Sequence, residues 1–359
     1  MLKTLSIDAG NERGALAALG TMTAGLYLLG LAMWLADWHP LTARAAPPAA
    51  GERAATRIAA VPLPPVKPAA PAPSGKRALF GGGTDAKGLG LYPTVTLVSD
   101  IGGLIEKLTG LNYDLRQVRL GNGNVPRTFL TSLPRDLPTI RSAKVRKTAF
   151  IKSILPLILR ANRAILADRK RLLETAARFR AGAQVDVTDQ AWLYELARSY
   201  GIQEVELDEL ERRVDIVPPS LALAQAAEES GWGTSRFAIE GNAVYGQWTW
   251  RQGSGLVPRR RDQGKRHEVK IFESLQSSVD AYMRNLNTHW AYEAFRARRA
   301  ALRAEGRPLS GEELVETMAG YSERGAAYIE TLRTIMRYNR LGEFDSARLH
   351  DPIPAGTML

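Results

Sequence analysis

The chain has 359 residues, of which 45% are hydrophobic and 24% charged, with 32 Gly, 20 Pro and no Cys. That length gives about two domains, or one domain with long tails, and the apolar share excludes a wholly disordered chain. Zero Cys excludes disulfide scaffolds, cysteine nucleophiles and thiolate metal sites. The net charge of +11 points either to a polyanionic partner (nucleic acid, an anionic membrane face or a carboxylate-rich polymer) or to a generally basic solvated surface.

From Gly14 to Ala36 there are 23 residues without a charge. At about 1.5 Å per residue this run is long enough for a bilayer core of about 30 Å. Trp34 and Trp38 stand at one end, where interfacial aromatics belong. The reading is a transmembrane signal anchor over residues 14–38. A cleaved signal ending near Ala43-Arg44-Ala45 and a buried globular helix are the alternatives. Residues 39–78 are Ala/Pro-rich and lack helical or strand periodicity, which makes a semi-rigid spacer. Residues 79–124 carry the turn signals Gly81–Gly83 and Gly121–Asn124 and read as a loosely structured arm.

From about 148 the helical signal is strong, with Ile151, Ile154, Leu155, Ile158 and Leu159 followed by Ile165, Leu166, Leu172 and Leu173. Pro156 either kinks this helix or marks its start. Further helices are predicted over about 189–200, stopped by Gly201, over 207–214, and from Pro218-Pro219 onward. Val244 to Trp250 is rich in β-formers, Gln252–Gly255 reads as a turn, and His267 to Phe272 returns as a strand. Helices follow over 275–286, about 312–320 and about 326–340. Ser310 and Glu313 form a capping box for the second of these. The fold class is therefore α+β, mainly α, with one inserted β-hairpin lobe.

The stretch that carries chemistry runs from Leu221 to Ala238. Ala222, Gln225, Ala226 and Glu229 lie along one helical face. The alanines permit close packing, so the helix is buried and Glu229 emerges at its end. Gly231 and Gly233 take the left-handed conformations that stop a helix. The partial negative charge of the helix terminus and exclusion of water by Trp232 both disfavour a carboxylate at 229. A carboxylic acid kept protonated near neutrality is what glycoside cleavage needs to protonate a leaving oxygen. An exposed Glu in an ordinary capped helix end is the plain alternative.

AQAAEESGWGTSRFA followed by GNAVYGQW resembles the mannosyl-glycoprotein endo-β-N-acetylglucosaminidase-like group, the family 73 glycoside hydrolases. Within it the bacterial Bax protein family is the nearer likeness, carried also by VPRTFLTSLPRDL, LPLILRANRAILADRKRL, SVDAYMRNLNTHWAYEAFR and YSERGAAYIETLRTIM. The likeness covers about 125–350, leaving 351–359 as a tail. It implies a lysozyme-like fold and hydrolysis of the β-1,4 bond after N-acetylglucosamine in peptidoglycan, with no amidase activity.

The family's catalytic acid falls on Glu229, directly before Ser230-Gly231-Trp232. Asn242, Tyr245 and Gly246 match its N-x-x-[FY]-G turn, and Tyr292 matches the tyrosine of its "NP-x-Y" element. Here that element reads Asn287-Thr288-His289-Trp290-Ala291-Tyr292, without the proline. The family's second acid falls near Arg259-Arg260-Arg261, which cannot serve as a base. Asp262 and Glu268 are the nearest acids, and assistance by the substrate's acetamido group, placed by Tyr292, is the third option.

Among the remaining features, Arg259–Arg261 with Lys265, Arg266 and His267 form a basic cluster, either a site for cell-wall carboxylates or anionic lipid or a solvated hairpin tip. Trp248 and Trp250 share one strand face, for sugar stacking or for core packing. Gln225, Ser230, Trp232, Asn242, Tyr245, Trp248 and Trp250 form the expected substrate-binding set. The four His have no metal-ligand spacing and no phosphate-binding loop is present, so neither metal nor other cofactor is expected. The expectation is an inner-membrane hydrolase with residues 1–13 in the cytoplasm and its domain in the periplasm, acting on peptidoglycan glycan strands, with no nucleic acid partner. A muramidase or lytic transglycosylase, or a non-catalytic wall-binding protein, are its rivals.

Overall fold

The computed structural model describes residues 100–258 and 266–350. The expected anchor at 14–38, the spacer at 39–78, Asp262 with its neighbouring arginines, and the tail at 351–359 lie outside the described residues. Among the described residues no helix is long and apolar enough to cross a membrane.

The first helices are α1 (Ile101–Gly110) and α2 (Leu115–Arg119), each opened by an aspartate whose carboxylate accepts from a first-turn N–H. Where the structure describes it, they replace the loose arm expected over 79–124. Leu104, Leu108, Tyr113 and Val118 enter the main core. Arg119 donates to the carbonyls of Asn339 and Arg340 near the other end of the chain. Val125 exchanges backbone bonds with Arg348 and His350, tying the two ends together. Helices this short are marginal alone, so docking stabilises them more than propensity does.

Helix α3 (Ala143–Arg180) has 38 residues, about 57 Å, and Ser142 caps its start. Pro156 lies well inside it and does not mark the start. The helix is buried on all sides around Ile154–Ile158, as expected for an element through the middle of a domain. Next come α4 (Val187–Ser199) and α5 (Leu207–Arg213), close to their predicted spans.

At the centre lies α6 (Pro219–Ser230), in which every residue from Pro219 to Ala227 is buried. Four alanines and a serine on so short a helix let neighbours approach from all directions. Pro218 and Pro219 cannot donate, so the start of α6 is held from outside. The Asp345 carboxylate accepts from the Ser220 N–H (2.8 Å) and hydroxyl (2.7 Å). It also accepts from the Gly311 N–H at 3.2 Å. Gly311 must be glycine here, because a Cβ would sit 2.3 Å from Ser220 Oγ.

After α7 (Arg236–Gly241) comes a small sheet rather than the expected hairpin. Strands β1 (Trp248–Thr249), β2 (Gly255–Leu256) and β3 (Glu268–Lys270) have the order β1-β3-β2, all antiparallel. Trp248 and Leu256 both lie opposite Val269. The lobe has its own small core of Ala243, Val269 and Phe272.

The last part contains α8 (Leu275–Thr288), a 3-10 turn at Trp290–Tyr292, α9 (Glu293–Ala304), α10 (Gly311–Leu314) and α11 (Ala326–Tyr338). The helix predicted over 312–320 is a single α-turn followed by 3-10 structure at Val315–Tyr321. Ser310 caps it through the Glu313 N–H, but the Glu313 side chain turns to Arg298 and Arg307 instead of closing the box. Helices α10, α11 and α3 and the turn Leu341–Phe344 pack around α6.

Helix α9 has no counterpart in the predicted elements. Its inward face carries Arg296 and Arg299 beside Phe295 and Leu302, which weakens the apolar period. Arg299 is fully buried and donates to the carbonyls of Arg212, Asp215 and Ile216 and to Asn287 Oδ1 (2.8–3.0 Å). Burial pushes its guanidinium pKa down to about 10. Arg303 grips the Asp215 carboxylate with two bonds (3.0 and 2.9 Å). The asparagine of the "NP-x-Y" element is thus a structural link, since Asn287 Nδ2 also donates to the Asp215 carbonyl.

Candidate active site

Helix α6 ends where the sequence suggests. Gly231, Trp232 and Gly233 all have positive φ (57°, 59° and 79°), so the chain reverses within three residues. Ser230 is buried beneath the reversal. Its hydroxyl donates to the Ala226 carbonyl and accepts from the Gly233 N–H (2.8 Å). Ser230, expected in the substrate-binding set, pins the turn that lets Glu229 end the helix.

Glu229 is half-buried, and beside it lies a cluster of Tyr282, Tyr292, Tyr321 and Tyr328 from four later segments. Tyr328 on α11 donates its hydroxyl to Glu229 Oε1 at 2.9 Å. The Tyr328 oxygen in turn accepts from Gln225 Nε2 (3.1 Å), and Gln225 Oε1 accepts from the Tyr282 hydroxyl (2.7 Å). The donor of each bond is set by the next, so the chain runs Tyr282 to Gln225 to Tyr328 to Glu229. Gln225 has no exposed surface. It does not meet substrate as expected; it orients Tyr328 from beneath.

The carboxyl of Glu229 is raised from 4.5 to about 7. Burial is the main cause, opposed by the Tyr328 hydrogen bond, increased by the charge of Glu228 and opposed again by Arg324. Arg324 pairs with Glu228 at 2.6 Å, which holds that neighbouring carboxylate away from the acid. Burial as the main cause is the exclusion of water that the sequence reading expects. Trp232 packs edge-on against Phe150 (5.8 Å) and beneath Lys147 (4.6 Å), on α3, while tyrosines surround the carboxyl.

Gly246, with φ 61°, passes directly beside the acid, where a Cβ would lie 3.6 Å from Oε2. Strand β1 begins two residues later, so Trp248 is within about 7 Å of Gly246 along an extended chain. Two other residues of that turn work from within. Tyr245 is buried and stacks on Tyr282 at 3.8 Å and 5°. Asn242 takes a left-handed φ of 53° and donates to the Phe272 carbonyl (3.1 Å), fastening the lobe to α7. Both side chains, expected in the substrate-binding set, are buried.

Tyr292 lies in the same cluster, 6.0 Å from the Tyr321 ring. Burial pushes its hydroxyl up to about 12, which Asn285 opposes by hydrogen bonding and the nearby Glu229 charge adds to. Of the two tyrosines, Tyr328 touches the acid, and spacing in the sequence did not single it out. The two partners lie 99 positions apart in the chain. The only local sign is a hydroxyl on the inward face of α11.

On the β-lobe, Trp248 stacks on His267 (4.3 Å, 11°), and Trp250 meets both rings edge-on. Trp250 remains 49% exposed, so this aromatic corner presents a face to solvent. Glu268 has a different use from the one expected. Its two oxygens accept from the N–H groups of Gly253 (3.1 Å) and Gly255 (2.9 Å), closing the loop between β1 and β2. A carboxylate bonded in this way holds the lobe in shape. Asp262 lies outside the described residues. Among the described residues no group of His, Asp and Glu is arranged to hold a metal ion.

Residues 206–341 match the family described as mannosyl-glycoprotein endo-β-N-acetylglucosaminidase. The chain is 33% identical to Protein bax of Escherichia coli (strain K12) over 212 residues, which make up 58% of this chain and 75% of that protein. No solved structure matches it.

Proposed function

The chain belongs to the Bax-like endo-β-N-acetylglucosaminidase family, and from that premise we propose that it is a peptidoglycan hydrolase cutting the β-1,4 bond after N-acetylglucosamine, with Glu229 as general acid. The observation that carries this reading is the half-buried carboxyl at the end of α6, raised to about 7 beneath a tyrosine cluster. Such a group is still largely protonated where an ordinary carboxyl is not. Tyr328 occupies Oε1, so the transferable proton sits on Oε2, on the side that side-chain-free Gly246 leaves open.

In the proposed reaction Glu229 gives its proton to the glycosidic oxygen as the bond from C1 breaks. The carbonyl oxygen of the substrate's own acetamido group bonds to C1 in place of a second carboxylate. Water then attacks C1, Glu229 takes the proton from it, and the C1 bond to the acetamido oxygen breaks, restoring both. The engagement of Glu268 with two backbone N–H groups supports this one-acid scheme. Trp248 and Trp250 are assigned to sugar stacking on the β-lobe. Tyr292 is assigned to shaping the floor of the cleft.

The uncharged run at 14–36 and the Pro/Ala-rich segment at 39–78 support anchoring in the inner membrane with the domain in the periplasm. A spacer gives reach to a polymer that cannot diffuse to the enzyme. A muramidase or lytic transglycosylase is the second reading, favoured by the same engagement of Glu268, because a lone acid also suffices there. Purified peptidoglycan digested by the full chain and by Glu229→Gln, followed by mass spectrometry of the ends, separates the readings. Reducing N-acetylglucosamine ends lost in the variant support the proposal. Reducing or anhydro-muramic ends move the cut to the other bond, and binding without fragments from either protein leaves a wall-binding scaffold.

A further inference from the structure

A continuous row of rings leads from the acid to the surface. Tyr328 stacks parallel to Tyr321 (5.7 Å, 4°), Tyr321 lies 6.0 Å from Tyr292, Tyr292 5.8 Å from His289, and His289 5.4 Å from Trp290. Each spacing is within the range of direct aromatic contact. Tyr328 and Tyr292 are buried, Tyr321 and His289 half-buried, and Trp290, at the outer end of the row, is 62% exposed. An indole this open, held on a 3-10 turn by a chain of rings ending at the acid, contributes little to the core.

We propose that Trp290, with His289, forms a distal subsite that stacks a sugar of the same glycan strand several units from the cleaved bond, and so favours long strands over short ones. Pyranose rings present apolar C–H faces that suit an open indole, and their hydroxyls suit the adjacent imidazole. His289 Nδ1 accepts from the Ala291 N–H (3.3 Å), which leaves its proton on Nε2 as a donor. Burial and the neighbouring Arg296 lower the imidazole pKa, so the ring remains neutral at neutral pH. The inference rests on the glycosidase reading for its ligand.

The backbone supplies a clean variant. His289 is extended (φ −72°, ψ 138°) and Trp290 is the first residue of the turn, the geometry that an X-Pro pair prefers. Trp290→Pro therefore removes the ring and keeps the turn; Trp290→Phe retains a smaller stacking face. Binding is measured on the full chain carrying Glu229→Gln, with peptide-free N-acetylglucosamine/N-acetylmuramic acid oligosaccharides of graded length, so that no turnover is required.

The expected result is affinity that rises with length and a loss of on the order of tenfold in Trp290→Pro for the longest strands only, partly rescued in Trp290→Phe. An unchanged affinity at every length overturns the subsite, as does an equal loss at every length or no binding of any strand. Cleavage assays with Glu229 intact are run in parallel. Length-dependent binding without cleavage keeps the subsite and refutes the hydrolase, whereas cleavage indifferent to Trp290 at all lengths does the reverse.

Discussion

Replacing Tyr328 by Phe removes one oxygen and leaves the ring stack with Tyr321 in place. The lost bond is the 2.9 Å hydrogen bond to Glu229 Oε1, which favours the carboxylate and opposes the effect of burial. A hydrogen bond to a charged group contributes about 1.5–3 kcal/mol, and one pKa unit corresponds to about 1.4 kcal/mol. Glu229 therefore rises from about 7 by roughly one to two units. Because the acid must be protonated to act, the alkaline limb of kcat/KM moves to higher pH by the same amount. The bond also supports the carboxylate formed as the proton leaves, so the rate on the acidic plateau falls by roughly tenfold. A pH-rate series on Tyr328→Phe tests both effects. A limb that stays in place, or moves to lower pH, refutes the assignment of Tyr328 as the donor that tunes the acid.

Three further outcomes follow from the same geometry. Glu229→Gln stabilises the fold at high pH: the folded carboxyl holds its proton up to about 7 and the unfolded one only to about 4.5, so the wild type loses stability across that window and the Gln variant does not. The gap, about 3 kcal/mol above pH 7 and absent below pH 4, is read as a pH-dependent difference in melting temperature. Glu268→Gln puts an NH2 in place of one accepting oxygen, unfastens one of the Gly253 and Gly255 N–H groups and loosens the lobe, raising KM several-fold with the pH limbs unmoved. A fall in kcat of roughly 10²–10⁴ would instead make Glu268 a base. Arg299→Met strands the carbonyls of Arg212, Asp215 and Ile216 and destabilises the fold by about 3–5 kcal/mol in urea titration.

What could be read from the chain before its structure divides along a physical line. Helices α3, α4, α5 and α6 bury aliphatic stripes at helical spacing, and the Glu229 turn is marked by two glycines, so local pattern suffices for these. Helix α9 escaped because Arg296 and Arg299 occupy its inner face, satisfied by carbonyls that no local pattern reveals. Helices α1 and α2 escaped because their stability lies in docking against α3 and the last turn of the chain. The turn that ends α6 at Glu229 was legible, while the hydrogen-bond partner that opposes its raised pKa was not. Trp232 is its neighbour in sequence, but Tyr328 reaches it across 99 positions. For Gln225, Ser230, Asn242 and Glu268 the motif marks the positions, and the structure adds their partners. Each makes a buried bond that shapes the cleft, and a polar residue in a motif looks the same whether it faces substrate or backbone.

Everything proposed for the reaction depends on the protonation of Glu229. The full chain with ¹³C-labelled Glu side-chain carboxyls, titrated by NMR with Glu229→Gln to identify the resonance, measures it directly. The expected midpoint is about 7, shifting up in Tyr328→Phe. A midpoint near the ordinary 4.5 would leave the carboxylate ionised at neutral pH and contradict its role as the acid.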